Sequence, residues 1–161
     1  MSVTVRVRRE LAAGVPDVFA RLADKAHWQA RVQAAASLST TLADFTCTPR
    51  SVQATTRSTV PLDWLPSAVR GRIGGELAVV RTERWDLAAD EQANGILDFD
   101  LPAVDATAVG TGSLTPREDG SVIEVAVEIA VPIPLLGGVI EQMVAARVDG
   151  LLRADLALLD D

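Results

Sequence analysis

Few side chains in this sequence are equipped for chemistry, and most of them have no visible partner. There is one histidine, His27, one cysteine, Cys47, and no tyrosine. A histidine works as a general base only when another group orients it and a substrate reaches it. His27 offers no sign of either and reads as a surface or capping residue. Cys47 would need a helix N-terminus or a nearby cation to become a reactive thiolate. On an alternating segment, LSTTLADFTC, it reads instead as a small buried hydrophobe. A lone thiol makes no internal disulfide and no thiolate metal site. The glycine patterns carry no phosphate chemistry. GTGSLT lacks the third glycine of a dinucleotide fingerprint, and Gly71–Gly75 has no P-loop lysine. No G-x-S-x-G elbow occurs. Glu124 and Glu128 alternate with apolar residues and read as solvated, while Asp98 and Asp100 stay open as a carboxylate pair inside a cavity. No residue is assigned a catalytic or metal-binding role, and no cofactor is implied.

Arg147 is the exception. On a helical wheel at about 100° per residue, Gln142, Asp149, Arg153 and Asp160 share a solvated side of the last apolar segment. Ile140, Met143, Val144, Leu151 and Leu158 gather opposite, as a core stripe should, and Arg147 falls among them. A buried cation must be paired or solvated, because burying it alone is very costly. Its planar fork suits a ligand's carboxylate, phosphate or carbonyl oxygen. The other solutions are a strand carboxylate (Glu83, Asp98 or Asp100) or a side chain that snorkels to the rim.

Aromatic residues are scarce enough for their positions to matter. Trp64 and Leu65 lie in a stretch rich in proline and glycine between two strands, where they either lid a cavity or plug the end of a sheet. Phe99 shares an inward face with Leu97 and Leu101. Trp85 shares its face with Val79, Arg81 and Glu83, which leaves its side undecided, and core packing is the default for both rings. The expected ligand contacts are therefore Trp64, Leu65, Trp85 and Phe99, together with Ile140, Met143, Arg147 and Leu151 from the last helix.

These residues need a scaffold, and the chain is long enough for one. With 161 residues it is expected to form a single domain spanning 1–161. A composition 48% hydrophobic and 23% charged fits a folded core and excludes intrinsic disorder. A net charge of −7 repels a phosphate backbone, so nucleic acid is not an expected partner. Of the 15 basic residues only Lys25 is a lysine, a bias better attributed to a GC-rich genome than to function. The greasiest stretch, Val122 to Ile140, is broken by Glu124, Glu128, Pro132 and Pro134, so no membrane span is expected. With arginines near the N-terminus where a secretory signal needs apolar residues, the expected compartment is the cytoplasm.

Val3, Val5 and Val7 alternate with polar residues as in a half-buried strand. Pro16 and Asp17 suit the first turn of a helix, and a second short helix is predicted over Ala26 to Ala36. From Ser37 the pattern turns to β-branched alternation, with two strands meeting near Thr48–Arg50. An irregular excursion follows Pro61, and three more strands run through ELAVVRTERWDL, NGILDFDL and ATAVGTGSLTP. Asp119–Gly120 signals a turn into the clearest strand, with Ile123, Val125, Val127, Ile129 and Val131 on one face. Pro132 and Pro134 stop it, and a long helix is predicted from about Leu135 to Leu159. The fold class is α+β.

This element order resembles the helix-grip fold of the START-like superfamily, also called the polyketide-cyclase or Bet v 1-like group. Three segments carry a closer similarity to one uncharacterised bacterial family within it: VPDVFARLAD, VPLDWLPSAVRGRIGGELAVVRTERW and VPIPLLGGVIEQMV. The resemblance implies a curved antiparallel sheet of about seven strands wrapped around the C-terminal helix, two short helices after the first strand, and a cavity for a small hydrophobic ligand. It implies no reaction, since a fold hosts carriers, sensors and enzymes alike. Three functions remain: a non-catalytic binder of a lipid, isoprenoid or polyketide-like molecule, a cyclase or dehydratase-type enzyme, and a protein-interaction module without a ligand.

Overall fold

The computed structural model describes residues 2–35, 38–71, 73, 75–104 and 106–160. The predicted helix end at Ala36 and the predicted switch to strand at Ser37 lie outside the described residues, as do Arg72 and Gly74 of the excursion.

The chain begins with β1 (Ser2–Leu11), whose Val5, Val7 and Leu11 are buried while the arginines between them are not. The short helices α1 (Val15–Leu22) and α2 (Lys25–Ala34) follow. Pro16 stands in the first turn of α1, where a missing N–H costs nothing. The Asp24 side chain caps α2 by accepting from the Ala26 N–H at 3.0 Å. Six further strands come next: β2 (Thr41–Thr48), β3 (Ser51–Val60), β4 (Leu77–Leu87), β5 (Ala93–Leu101), β6 (Ala106–Arg117) and β7 (Gly120–Ala130). A short turn at Leu62–Trp64 and the single-turn helix α3 (Ser67–Arg70) fill the connection from β3 to β4. The hairpin from β6 to β7 turns on Gly120, whose φ of 142° suits a residue without Cβ.

All seven strands form one antiparallel sheet in the order β1-β7-β6-β5-β4-β3-β2. β1, first in sequence, closes one edge beside β7, last in sequence, and β2 forms the other edge. Helix α4 (Gly137–Ala157) lies against β1 and β7 and runs along the concave face. It begins two residues later than predicted, because Leu135 adopts a φ of 68°. At ~1.5 Å per residue its 21 residues span about 32 Å. Its C-terminal end is tied to β1 by an ion pair between Arg9 and Asp160, and to α1 by Arg21 Nη1 donating to the Leu159 carbonyl at 2.6 Å. A curved antiparallel sheet gripping one long helix is the helix-grip arrangement. Among the described residues no helix is long and apolar enough to cross a membrane.

Candidate functional site

Strand register sorts the concave face into rows. One row crosses the sheet as Val52, Trp85, Gly95, Gly112 and Val125. The next is Ala54, Glu83, Leu97, Gly110 and Val127, and the third is Thr56, Arg81, Phe99, Ala108 and Ile129. Between the sheet and α4 lies a cavity of about 500 Å³, within the usual range of small-molecule pockets. Its wall uses the third row and the residues beyond it: Ser58, Val60, Leu77, Val79, Leu101, Ala106 and Val131. Neither of the first two rows reaches it. The cavity therefore stops at Arg81, and below that level the space is filled by side chains.

Helix α4 supplies the opposite wall through Ile140, Met143, Val144, Arg147, Val148, Leu151 and Asp155, and α2 adds Trp28, Arg31 and Val32. At the mouth, Trp64 and Leu65 from the β3–β4 connection face α4, and the Arg147 guanidinium stacks on the Trp64 ring 3.8 Å from its centroid. This cation–π contact links the connection to the helix across the opening.

Seven of the eight side chains expected at a ligand therefore meet on this cavity: Trp64, Leu65, Phe99, Ile140, Met143, Arg147 and Leu151. Trp85 does not. It is 1% exposed and lies two rows beneath the cavity, over Gly95 and Gly112. A Cβ at either glycine would come within 2.7 or 2.5 Å of its indole, so the missing side chains are what make room for the ring. The Arg147 carboxylate partners proposed from sequence also fail. Asp98 and Asp100 project from the outer face of β5, which removes the in-cavity pair as well, and Glu83 is engaged elsewhere.

The helical wheel for α4 needs a rotation. The row placed in the core, centred on Ile140, Val144 and Leu151, faces the cavity and its mouth, leaving Met143 and Leu158 more than a third exposed. The fully packed row is Glu141, Ala145, Val148, Leu152, Leu156 and Leu159, about a quarter turn away. Glu141 is satisfied there by the Val131 N–H, which donates to it at 2.9 Å. Two adjacent apolar sectors, one packed and one lining a void, blurred the amphipathic pattern. Cys47 is also corrected: β2 is an edge strand, and its thiol is exposed.

Sequence reasoning missed the cavity floor altogether. Arg31 and Arg81 form a closed set of ion pairs with Glu83 and Asp155. Arg31 Nη1 donates to Glu83 at 2.6 Å and lies 3.8 Å from Asp155. Arg81 Nη1 donates to Asp155 at 2.7 Å and Nη2 to Glu83 at 3.2 Å. All four are buried. Each guanidinium has a ring against one face, Arg31 over Trp28 at 4.2 Å and Arg81 over Phe99 at 5.3 Å. Burial pushes Glu83 toward its neutral form, but Arg31 and Arg81 outweigh it and hold the carboxyl below its ordinary range. Burial likewise works against the Arg81 charge, and Asp155 and Glu83 more than restore it.

His27 belongs to this cluster and is not a surface residue. It is buried, and its Nε2 accepts from Arg31 Nε at 2.9 Å. Desolvation first, and then the adjacent Arg31 charge, lower its pKa to about 3, so the ring is neutral. Two signals in the sequence pointed here. Arg81 and Glu83 share the β4 face of Leu77 and Trp85, and Asp155 interrupts the apolar row of Leu152, Leu156 and Leu159.

The family model described as "Protein of unknown function (DUF2505)" matches residues 6–161. The chain belongs to this DUF2505 family. No curated protein matches it. Solved structures align over nearly the whole DUF2505 chain. TTHA0849 from Thermus thermophilus superposes with a TM-score of 0.59 at 15% identity, covering 98% of this chain and 97% of that one. The di-domain ARO/CYC StfQ from the steffimycin biosynthetic pathway gives 0.59 at 15% identity, over 99% of this chain and 50% of that one. A STAR-related lipid transfer protein fragment from Xanthomonas axonopodis gives 0.53 at 18% identity, over 97% and 85%. At these identities the likeness concerns fold: this DUF2505 chain has the Bet v 1-like, START-like architecture that its element order implied.

Proposed function

We propose that this protein binds a hydrophobic small molecule, a lipid, isoprenoid or polyketide-like compound, in the cavity between the sheet and α4, and acts as a non-catalytic carrier or sensor. The observation that carries this reading is the cavity itself: about 500 Å³, walled mainly by aliphatic and aromatic side chains, with a mouth at Trp64 and Arg147. Void space on this scale forfeits packing energy in a free protein, and an apolar guest recovers it. Arg147 is held at the mouth by a ring face rather than by a carboxylate among the described residues, so its N–H edges suit a ligand oxygen there. The likeness in fold to the ARO/CYC StfQ of steffimycin biosynthesis and to a STAR-related lipid transfer protein supports the same ligand class. The reading places the protein in the cytoplasm, where an exposed lone thiol such as Cys47 stays reduced.

One observation favours a cyclase or dehydratase-type enzyme as a second reading, namely the polar side chains of Arg31, Arg81 and Asp155 on the cavity wall. Against it, these charges are committed to one another, and His27 is already occupied as an acceptor for Arg31. An open cavity gives no support to an interaction module without a ligand.

Two experiments test the binder. Denaturing extraction of the purified protein followed by mass spectrometry should release an apolar species at near-equimolar amount. Titration with the fluorophore N-phenyl-1-naphthylamine should give saturable binding that Val79→Trp, which fills the cavity from β4, abolishes. Equal binding by a folded Val79→Trp variant would overturn the assignment of the cavity.

A further inference from the structure

The floor of the cavity is built unlike its walls, and its construction restricts what a ligand can bring to it. Arg31, Arg81 and Asp155 all reach the cavity surface, while Glu83 completes the cluster from the row beneath. Two guanidinium groups face two carboxylates, so the cluster sums to zero. The titratable group packed beside it from α2, His27, is neutral and its accepting nitrogen is taken by Arg31. Trp28 lies against one face of the Arg31 guanidinium and Phe99 against one face of Arg81, and both groups donate in their own planes. Arg81 uses Nη1 for Asp155 and Nη2 for Glu83. Its third nitrogen, Nε, is buried with no acceptor among the described residues, in a residue 9% exposed. Nε is sealed from the cavity, whereas Nη1 and Nη2 each carry a second hydrogen that these two bonds do not use.

Resting on the reading of the cavity as a hydrophobic ligand site, we infer that the ligand enters with a neutral oxygen foremost, a ketone, ester or hydroxyl group, and seats it on the Arg31–Arg81–Asp155 floor. An oxygen of this kind accepts from Arg81 without disturbing the charge balance. A carboxylate or phosphate would leave the cluster with an uncompensated negative charge away from water, and an ammonium group would do the opposite. An alkane gains nothing from the floor. The site therefore sorts apolar molecules by the chemistry of their leading end. The walls accept hydrocarbon, the floor selects a neutral polar group, and an anionic group is confined to the mouth beside Arg147.

The test uses three eleven-carbon probes, 2-undecanone, undecane and undecanoate, each displacing N-phenyl-1-naphthylamine and compared at equal aqueous activity. The ketone should bind about tenfold more tightly than the alkane. The charge-balanced double variant Arg81→Met/Asp155→Leu, which keeps the Arg31–Glu83 pair, should bring that ratio to about one while the fluorophore still binds. A ratio unaffected in the folded double variant would overturn the inference, as would undecanoate losing affinity in that variant as strongly as the ketone. If the double variant does not fold, the wild-type protein still decides. The carbonyl stretch of bound 2-undecanone should fall below its frequency in hexane, and a band at the hexane position would overturn the inference. Absence of fluorophore binding by wild type would overturn the cavity reading itself. Fluorophore binding without ketone preference would leave that reading standing and overturn only the floor.

Discussion

Acid should destabilise this protein through His27 at a pH above the range where Glu83 loses its contribution. Folding lowers the imidazole pKa from 6.5 to about 3, chiefly by desolvation and secondly by the Arg31 guanidinium. The unfolded chain therefore takes up a proton near pH 6.5 that the folded chain refuses until near pH 3, and stability falls with falling pH between those values. At ~1.4 kcal/mol per pH unit, a shift from pH 7.5 to pH 5 should cost about 2 kcal/mol. Glu83 leaves this window clean. Its folded pKa is depressed, so its contribution is intact above its ordinary value of 4.5 and is lost only at more acid pH. The assay is urea unfolding followed by tryptophan fluorescence at pH 7.5, 6.5, 5.8 and 5.0. With a slope of about 2 kcal/mol per molar urea, the midpoint should drop by about 1 M across the series. His27→Gln keeps an oxygen that can accept from Arg31 Nε and removes the titration. Its midpoint should move far less over the same range. If His27→Gln tracks wild type at every pH, the buried neutral imidazole is not what couples stability to pH, and the reasoning fails.

Other perturbations probe the same framework. Glu83→Gln keeps the shape but leaves two guanidinium groups facing Asp155 alone, and should destabilise by about 3–5 kcal/mol, lowering Tm by roughly 10 °C in a thermal melt. Gly112→Ala places a Cβ 2.5 Å from the Trp85 ring and should cost about 1–3 kcal/mol in chemical denaturation. Adding Trp85→Phe, whose shorter ring withdraws the clashing atoms, should recover part of that loss, and no recovery would place the strain elsewhere. Arg147→Met removes the cation–π contact with Trp64, worth about 0.5–1 kcal/mol at a part-exposed site. It should also weaken undecanoate binding several-fold, and unchanged undecanoate affinity in the folded variant would remove Arg147 from the site.

The features legible in the sequence were those set by near neighbours along the chain. The alternation from Ile123 to Val131 defines β7, Pro132 and Pro134 end it, and Asp119–Gly120 marks the hairpin before it. The short helices after β1 follow from Pro16 and Asp17 and from the apolar spacing of Val18, Phe19 and Leu22. Most of the cavity-facing side chains were legible too, because the Ile140, Met143 and Arg147 row can be read at helical spacing from a single segment.

The charged floor was not legible, because its partners are remote in sequence. Arg31 reaches Glu83 across 52 residues and Arg81 reaches Asp155 across 74. Hydropathy alone assigns an arginine or glutamate on a strand to solvent, and only the arrival of opposite charges from α2 and α4 reverses that choice for β4. The same reversal decides Trp85: once Arg81 and Glu83 turn inward, the indole on their face must turn inward with them, beneath the floor and out of reach of the cavity. Cys47 goes the other way, exposed because its strand ends the sheet. Periodicity along the chain determined the elements and their order. Which sector of α4 is packed and which lines a void, and where the void stops, depended on pairings between distant segments that only the tertiary structure brings together.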